Sequence, residues 1–305
     1  MLLVSRDHRQ IIAFRQPPQP RYNPAMRLGQ VYDHGRVVAA IYQEDGARPI
    51  RNWTLVEVIE HAEAEGLSLE ELAERDAGPV QSLDSAIVIS PAEVWASGCT
   101  YETSAAFRDA EHGTREGFYA HVYRAERPEI FFKGTARHCV GHNQPIGARA
   151  DSRFTAPEPE LAVILGGGGR ILGYTLANDV SAWDIERENP LYLPQSKTYT
   201  GCCSLGPVMV TSSEIPDPYS LDITCRIKRQ GRIIFEGSTS TSRLNRKLES
   251  IVEFLRRANP VPAGTVLCTG TGIIVKEDAA LAAGDEVAIE CAPIGVLSNT
   301  VSVVS

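Results

Sequence analysis

Glu158 and Glu160 stand two residues apart in TAPEPELAVIL, at the mouth of an apolar run. Alternate residues of a strand share one face, so the two carboxyls would project together, their Cα atoms roughly 7 Å apart. Carboxylates that close repel each other unless a cation or a shared proton relieves them. An exposed acidic strand end would need no such partner, and Pro159, which offers no backbone donor, places the pair at a strand start or sheet edge near solvent. The following segment favours the cation. AVILGGGGRILGYTL holds two apolar runs around four glycines, a hairpin pattern. The returning run carries Asp179, of GYTLANDVSAWD, back alongside the two acids. Three carboxylates make an all-oxygen site for a hard divalent cation, Mg2+, Mn2+ or Ca2+, rather than zinc. Lys197, in LPQSKTYTGCCSLGP, is placed to offset their surplus charge. Lysines are ordinarily surface residues, but Pro194 before it and small residues after it point to burial in a tight loop.

The elements that must position these residues are mostly strands. QVYDHG and RVVAAIY read as short strands, and TLVEVIEHAEAEG as a helix with Leu55, Val58, Ile59 and Ala62 on one face. SLEELAE opens with a capping box, Ser68 and Glu71. LDITCRIKRQGRIIFEG turns at Gln230-Gly231. KLESIVEFLRRA spaces Leu248, Ile251, Val252 and Leu255 as a helix face, stopped by Asn259-Pro260. AGDEVAIECAPIGVLSNTVSVV reads as two closing strands. The glycine run lacks the Lys-Ser/Thr pair and following helix of a phosphate cradle, so it reads as a turn. Neither a repeat nor βαβ alternation is present, which disfavours a doubly wound parallel sheet and leaves a β-rich α+β fold. A proline-rich extended stretch occupies the first 25 residues, and a composition shift around AGPVQSLDSA marks a boundary between an N-terminal α/β domain (1–85) and a larger domain (86–305).

Composition narrows the classes of function. The 305 residues are 43% hydrophobic and 22% charged, with a net charge of -8 and no Lys/Arg-rich block, which argues against nucleic-acid binding. No apolar run approaches the roughly 20 residues of a membrane helix, and MLLVSRDHRQIIAF meets charges too early for a secretory signal, so cytoplasm is expected. The seven cysteines are scattered without zinc-binding spacing and read as buried thiols of a reducing compartment.

PEPELAVIL, GYTLANDVSAWD, PQSK, SLGPVMV, TGTGIIV and LAAGDEVAIE occur in the order found in the fumarylacetoacetate hydrolase family, which the chain resembles over about residues 85 to 300. The resemblance implies a mixed β-sandwich roll preceded by a smaller N-terminal domain. It implies Glu158, Glu160 and Asp179 as ligands of Mg2+ (or Mn2+ or Ca2+) and Lys197 beside a small 2-keto acid substrate. Thr271 of the TGT block would meet the carboxylate or keto end. Related enzymes assemble as homodimers or homotetramers, and the same is expected here.

RPEIFFKGTARHCVG and DIERENPLYLPQSKTYTGCCSLGP resemble the branch of the family that dehydrates 2-keto-3-deoxy sugar acids. That branch converts a 2-keto-3-deoxypentonate to 2,5-dioxopentanoate, by way of an enolate and loss of the C4 hydroxyl. In SGCTYETSAAFRDAEHG, Ser104 stands where the family's hydrolases carry a water-activating histidine, with His112 the nearest alternative. Elimination needs no activated water, so the change fits a dehydratase. Lys197 in neutral form or Glu102 would act as acid or base, and Ser104, Arg108 and Lys133 would line the pocket. The competing readings are a metal-dependent acylpyruvate hydrolase, an oxaloacetate-type decarboxylase, and a sugar-acid binding protein without catalysis.

Overall fold

The computed structural model describes residues 26–111 and 117–305, residue 111 by its backbone alone. The proline-rich stretch before Met26 and the candidate His112 lie outside the described residues. The apolar run after Glu158 becomes the strand Pro159–Leu165, which turns through the glycines and returns antiparallel as Ile171–Asp179. Gly168 and Gly169 take φ of 71° and 90°, left-handed values that suit glycine in a turn. The Gly167 N–H is tied to Glu63 at 3.0 Å.

This hairpin is the centre of an eleven-stranded sheet. In order its main path runs Gly46–Pro49, Arg36–Gln43, Arg27–Asp33, Cys203–Thr211, Ile171–Asp179, Pro159–Leu165, Thr265–Cys268, Val94–Gly98 and Glu129–Gly134. Most neighbours are antiparallel, but Thr265–Cys268 runs parallel to Val94–Gly98. A second sheet of five strands orders Arg232–Ser240, Asp222–Arg229, Glu286–Cys291, Gly295–Val304 and Ile146–Arg149. The two hairpins expected at Gln230-Gly231 and in the last strands are both there.

Leu161, Val163 and Leu165 pack toward the second sheet, among Ile223, Ile227, Ile289 and Leu297. Ala162 and Ile164 join the opposite cluster, with Leu28, Ile41, Leu55, Val58 and Ile59. Burial on both faces is why the strand reads as a continuous apolar run rather than an alternating one. The helix Leu248–Arg256 buries Leu248, Ile251, Val252 and Leu255 in the first cluster, each such side chain contributing about 1.5–3 kcal/mol. The capping box predicted at Ser68 and Glu71 forms on Leu69–Asp76, and Thr54 and Glu57 form another on Leu55–Glu65.

The segments on either side of residue 85 share this architecture. Arg27–Asp33 pairs with Cys203–Thr211 inside the main sheet, and Leu28 and Leu205 belong to one apolar cluster. All seven cysteines are free thiols, six of them buried and Cys139 half-buried. Among the described residues, no helix is long and apolar enough to cross a membrane.

Candidate metal centre and active site

Asp179 ends its strand directly across from Glu158, with the Asp179 N–H donating to the Glu158 carbonyl at 3.0 Å. One oxygen each of Glu158, Glu160 and Asp179 lies within 4.8 Å of the others, and the three residues are 4%, 2% and 1% exposed. Pro159 does start the strand, but its neighbourhood is buried, not near solvent as its missing donor suggested. It tolerates that position because only Ile171–Asp179 flanks it there; pairing with Thr265–Cys268 begins at Ala162. Each acid is separately held. Trp183 Nε1 donates to Glu158 Oε1 at 2.8 Å, and the Gly270 N–H donates to Glu160 Oε2 at 2.6 Å.

Cations close around the acids from three elements. Lys197 is fully buried at the end of a short helix, Leu193–Lys197, rather than in a loop; Pro194 fits its first turn. Its ammonium donates to Glu158 Oε2 at 2.9 Å, Asp179 Oδ2 at 3.2 Å and Ser181 Oγ at 2.6 Å. Burial works to lower its pKa, but the charges of Asp179, Glu158 and Glu186 outweigh burial and raise it above the ordinary lysine value. Without a metal to share those charges, Lys197 is held as a cation. Lys133, also fully buried, reaches Asp179 Oδ1 at 2.6 Å from the strand Glu129–Gly134 and donates to the Val180 carbonyl. Arg108, on the helix Glu102–Glu111, lies 3.7 Å from Glu158, 3.6 Å from Glu186 and 3.8 Å from Glu129.

Crowding acids this way has an electrostatic cost. Burial, then the neighbouring Asp179 and Glu158, push the Glu160 pKa well above the ordinary carboxylate range. Asp179 goes the other way: burial opposes ionisation, but Lys133 and Lys197 together pull its pKa down. The acids line a cavity of about 220 Å³ with Ser97, Gly98, Ser104, Arg108, Phe131 and Thr271.

The sequence profile described as fumarylacetoacetate hydrolase C-terminal matches residues 94–302. The chain belongs to the fumarylacetoacetate hydrolase family. It is 52% identical over 216 residues to 2-dehydro-3-deoxy-D-arabinonate dehydratase of Saccharolobus solfataricus, covering 70% of this chain and 72% of that one. It is 42% identical over 218 residues to a probable 2-keto-3-deoxyxylonate dehydratase of Haloferax volcanii, covering 72% of this chain and 75% of that one. A solved structure described as 2-keto-3-deoxy-D-arabinonate dehydratase complexed with magnesium and 2,5-dioxopentanoate superposes with a TM-score of 0.78 at 40% identity, over 92% of this chain and 99% of that one.

Within this fumarylacetoacetate hydrolase fold, the residues expected from the sequence separate into two groups. Glu158, Glu160, Asp179 and Lys197 come together, and Ser104, Arg108 and Thr271 line the same cavity. Glu102 does not: it is exposed on the first turn of its helix and is absent from the cavity lining. Lys133 and Lys197 are likewise outside the lining, each paired with Asp179. Trp183, Ser181, Gly270, Glu129 and Glu186 were not singled out by the sequence reading. Glu129, Phe131 and Lys133 are alternate residues of one strand, and Trp183 and Glu186 are spaced i, i+3 on one short helix. Those spacings are the signals that could have found them.

Proposed function

We propose that this protein is a metal-dependent hydro-lyase that dehydrates a 2-keto-3-deoxypentonate, such as 2-keto-3-deoxy-D-arabinonate, to 2,5-dioxopentanoate. The observation that carries the reading is the buried set Glu158, Glu160, Asp179 and Lys197, in a chain 52% identical to a dehydratase of that class. Ser104 at the hydrolases' histidine position supports elimination over hydrolysis.

The residues fit a hard divalent cation. Three carboxylates present oxygens within reach of one ion, and no soft ligand stands among them. Counted as ionised, the cluster sets five carboxylates (Glu129, Glu158, Glu160, Asp179, Glu186) against three cations (Arg108, Lys133, Lys197). The surplus of two negative charges matches one divalent ion. Glu158, Glu160 and Asp179 would hold Mg2+, which supplies Lewis acidity toward the carboxylate and keto oxygens of a 2-keto acid.

The chain's own residues do the rest. Lys133 pairs with Asp179 Oδ1 and Lys197 with Oδ2. Ser181 holds the Lys197 ammonium, whose fixed charge stabilises negative charge developing on the substrate's keto oxygen, an effect worth about 3–4 kcal/mol where such donors have been removed from enzymes. Thr271 and Ser104, both buried on the cavity wall, would hold the carboxylate end and the chain of the substrate. Free thiols throughout support a reducing cytoplasm as the compartment. Ile233, Ile234, Val296 and Val303 are exposed on the five-stranded sheet, and association of copies into a dimer or tetramer is part of this proposal.

The test is product identification. With Mg2+, 2-keto-3-deoxypentonates should yield 2,5-dioxopentanoate, and activity should vanish in excess chelator. Pyruvate from acylpyruvates as the only product would overturn the assignment.

A further inference from the structure

Cys139 and Cys203 are register partners on neighbouring parallel strands, Cys139–Val140 and Cys203–Thr211. Such strands lie about 4.7–4.9 Å apart, inside the roughly 4.4–6.8 Å that a disulfide spans between Cα atoms. The two side chains belong to one apolar cluster, and their thiols lie within hydrogen-bond reach of each other. Cys268 is also within reach of Cys203, and Cys202 precedes it in the chain. Cys202, Cys203 and Cys268 are fully buried, whereas Cys139 is half-buried. An oxidant arriving from solvent therefore meets Cys139 first, with Cys203 beside it as the resolving thiol.

The pair stands behind the acidic site, and each of its segments carries one half of an ion pair there. Cys203 pairs in register with Asp179 on the side away from Cys139. Cys139 follows Lys133 by one short turn, Ala136–His138, and Lys133 reaches Asp179 Oδ1 at 2.6 Å. The Lys133 carbonyl is in turn held by Thr198 Oγ1 at 3.2 Å, next to Lys197. Residues paired on parallel strands keep their Cβ atoms about as far apart as the strands, whereas a disulfide holds them about 3.8 Å apart. Closing the bond draws the two segments together by about 1 Å. Whichever segment yields, the shift falls on Lys133 or on Asp179. Disturbing the partner of a metal-ligating carboxylate typically costs about 10- to 100-fold in metal affinity or activity.

We propose that Cys139 and Cys203 form a peroxide-oxidised pair whose disulfide weakens metal binding at the acidic site. This rests on Glu158, Glu160 and Asp179 being the metal ligands. Hydrogen peroxide transfers one oxygen to the Cys139 sulfur, giving a sulfenic acid and water. The Cys203 sulfur then bonds to that of Cys139, and the sulfenic hydroxyl leaves with the Cys203 proton as a second water. The peroxide is reduced, two thiols are oxidised, and a dithiol reductant reverses the change by exchange. In a reducing compartment such disulfides form transiently, so the pair is free at rest and closes under oxidation.

The experiment uses the full chain. Wild type and Cys139→Ser are treated with hydrogen peroxide and alkylated. Intact mass and peptide mapping locate any disulfide, and calorimetry measures Mg2+ affinity before and after. Wild type should lose two hydrogens and yield a peptide cross-linked between Cys139 and Cys203. It should then bind Mg2+ about 10- to 100-fold more weakly until dithiothreitol restores it. Cys139→Ser should bind Mg2+ as reduced wild type does and keep that affinity in peroxide. No disulfide, or one joining Cys203 to Cys268, would overturn the pairing. The expected link with Mg2+ affinity changed by less than about threefold would overturn its effect on the site. An equal loss of affinity in peroxide-treated Cys139→Ser would assign that loss to another group and refute the proposal. Should Cys139→Ser fail to fold, the wild-type time courses decide, with affinity lost before the link forms as the refuting result. Reduced wild type that binds no Mg2+ would instead refute the metal-ligand reading itself.

Discussion

Glu160→Gln is a substitution for which the structure predicts opposite signs with and without metal. Glu160 is 2% exposed, accepts the Gly270 N–H, and has its pKa raised by burial and by Asp179 and Glu158. For an acid raised in the folded state, the stabilising contribution is complete below the unfolded value, near 4.5, and is lost as pH climbs through the folded value. At neutral pH the metal-free protein therefore works against this carboxylate. Glutamine keeps an oxygen for Gly270 and removes the charge, so metal-free Glu160→Gln should melt at or above metal-free wild type, and the gap should widen with pH above that ordinary value. Mg2+ reverses the order. At a hundredfold excess over Kd it stabilises wild type by about 2.7 kcal/mol, or roughly 5–10 °C at 2–4 °C per kcal/mol. Glu160→Gln, offering a neutral amide in place of one ligand, should lose most of that increment and all turnover. Scanning calorimetry of both proteins, with Mg2+ and with chelator, reads all four states. A metal-free variant melting well below wild type would refute the claim that the triad is held against its own repulsion. A full Mg2+ increment in the variant would remove Glu160 from the ligand set.

Lys197→Met strips a cation from Glu158 and Asp179 at once; breaking such buried pairs typically costs about 3–5 kcal/mol, and kcat should fall about 100- to 1,000-fold, with melting curves and steady-state kinetics as the readouts. Gly270→Ala tests the backbone behind Glu160: φ is +94°, and an added Cβ would collide with Thr100 Oγ1 and lie 2.9 Å from Ser97 O. The strain should cost about 1–3 kcal/mol and shift the N–H off Glu160, seen as a lower melting temperature and weaker Mg2+ binding by titration.

The metal triad was legible because its geometry is local. Strand periodicity puts Glu158 and Glu160 together, and one glycine turn returns Asp179 to them; all of that is encoded within the segment from Thr155 to Asp179. Lys197 was legible as buried but not as helical, because five residues with a proline show no helical period. Glu102 failed for the complementary reason. Its nearness in sequence to Ser104 says nothing of direction, and the helix that buries Ser104 and Arg108 turns Glu102 to solvent. Glu129 and Lys133 reach the site only through the pairing of Glu129–Gly134 with Val94–Gly98, and sequence distance hides such pairing. The same holds for Arg27–Asp33, whose place in the main sheet depends on a strand near the middle of the chain.

The positions of the charges also argue for how the site is stabilised. The proposed ligands stand on the central hairpin of the sheet, where neighbours on both sides fix the backbone, while Lys133, Lys197 and Arg108 arrive from three separate elements. A buried pair is weak evidence of stability, since desolvation can exceed the attraction, and five acids against three cations is worse than a pair. A proton on Glu160 or a further positive charge would complete such a cluster. Metal binding then does two things together: it relieves the Glu160 repulsion, and it strengthens the reason for the cation-bearing helices to stay docked on the hairpin. Chelation should accordingly loosen the helices Glu102–Glu111 and Leu193–Lys197 more than the central strands. In amide exchange that would appear as protection lost in those helices first and retained in Pro159–Leu165.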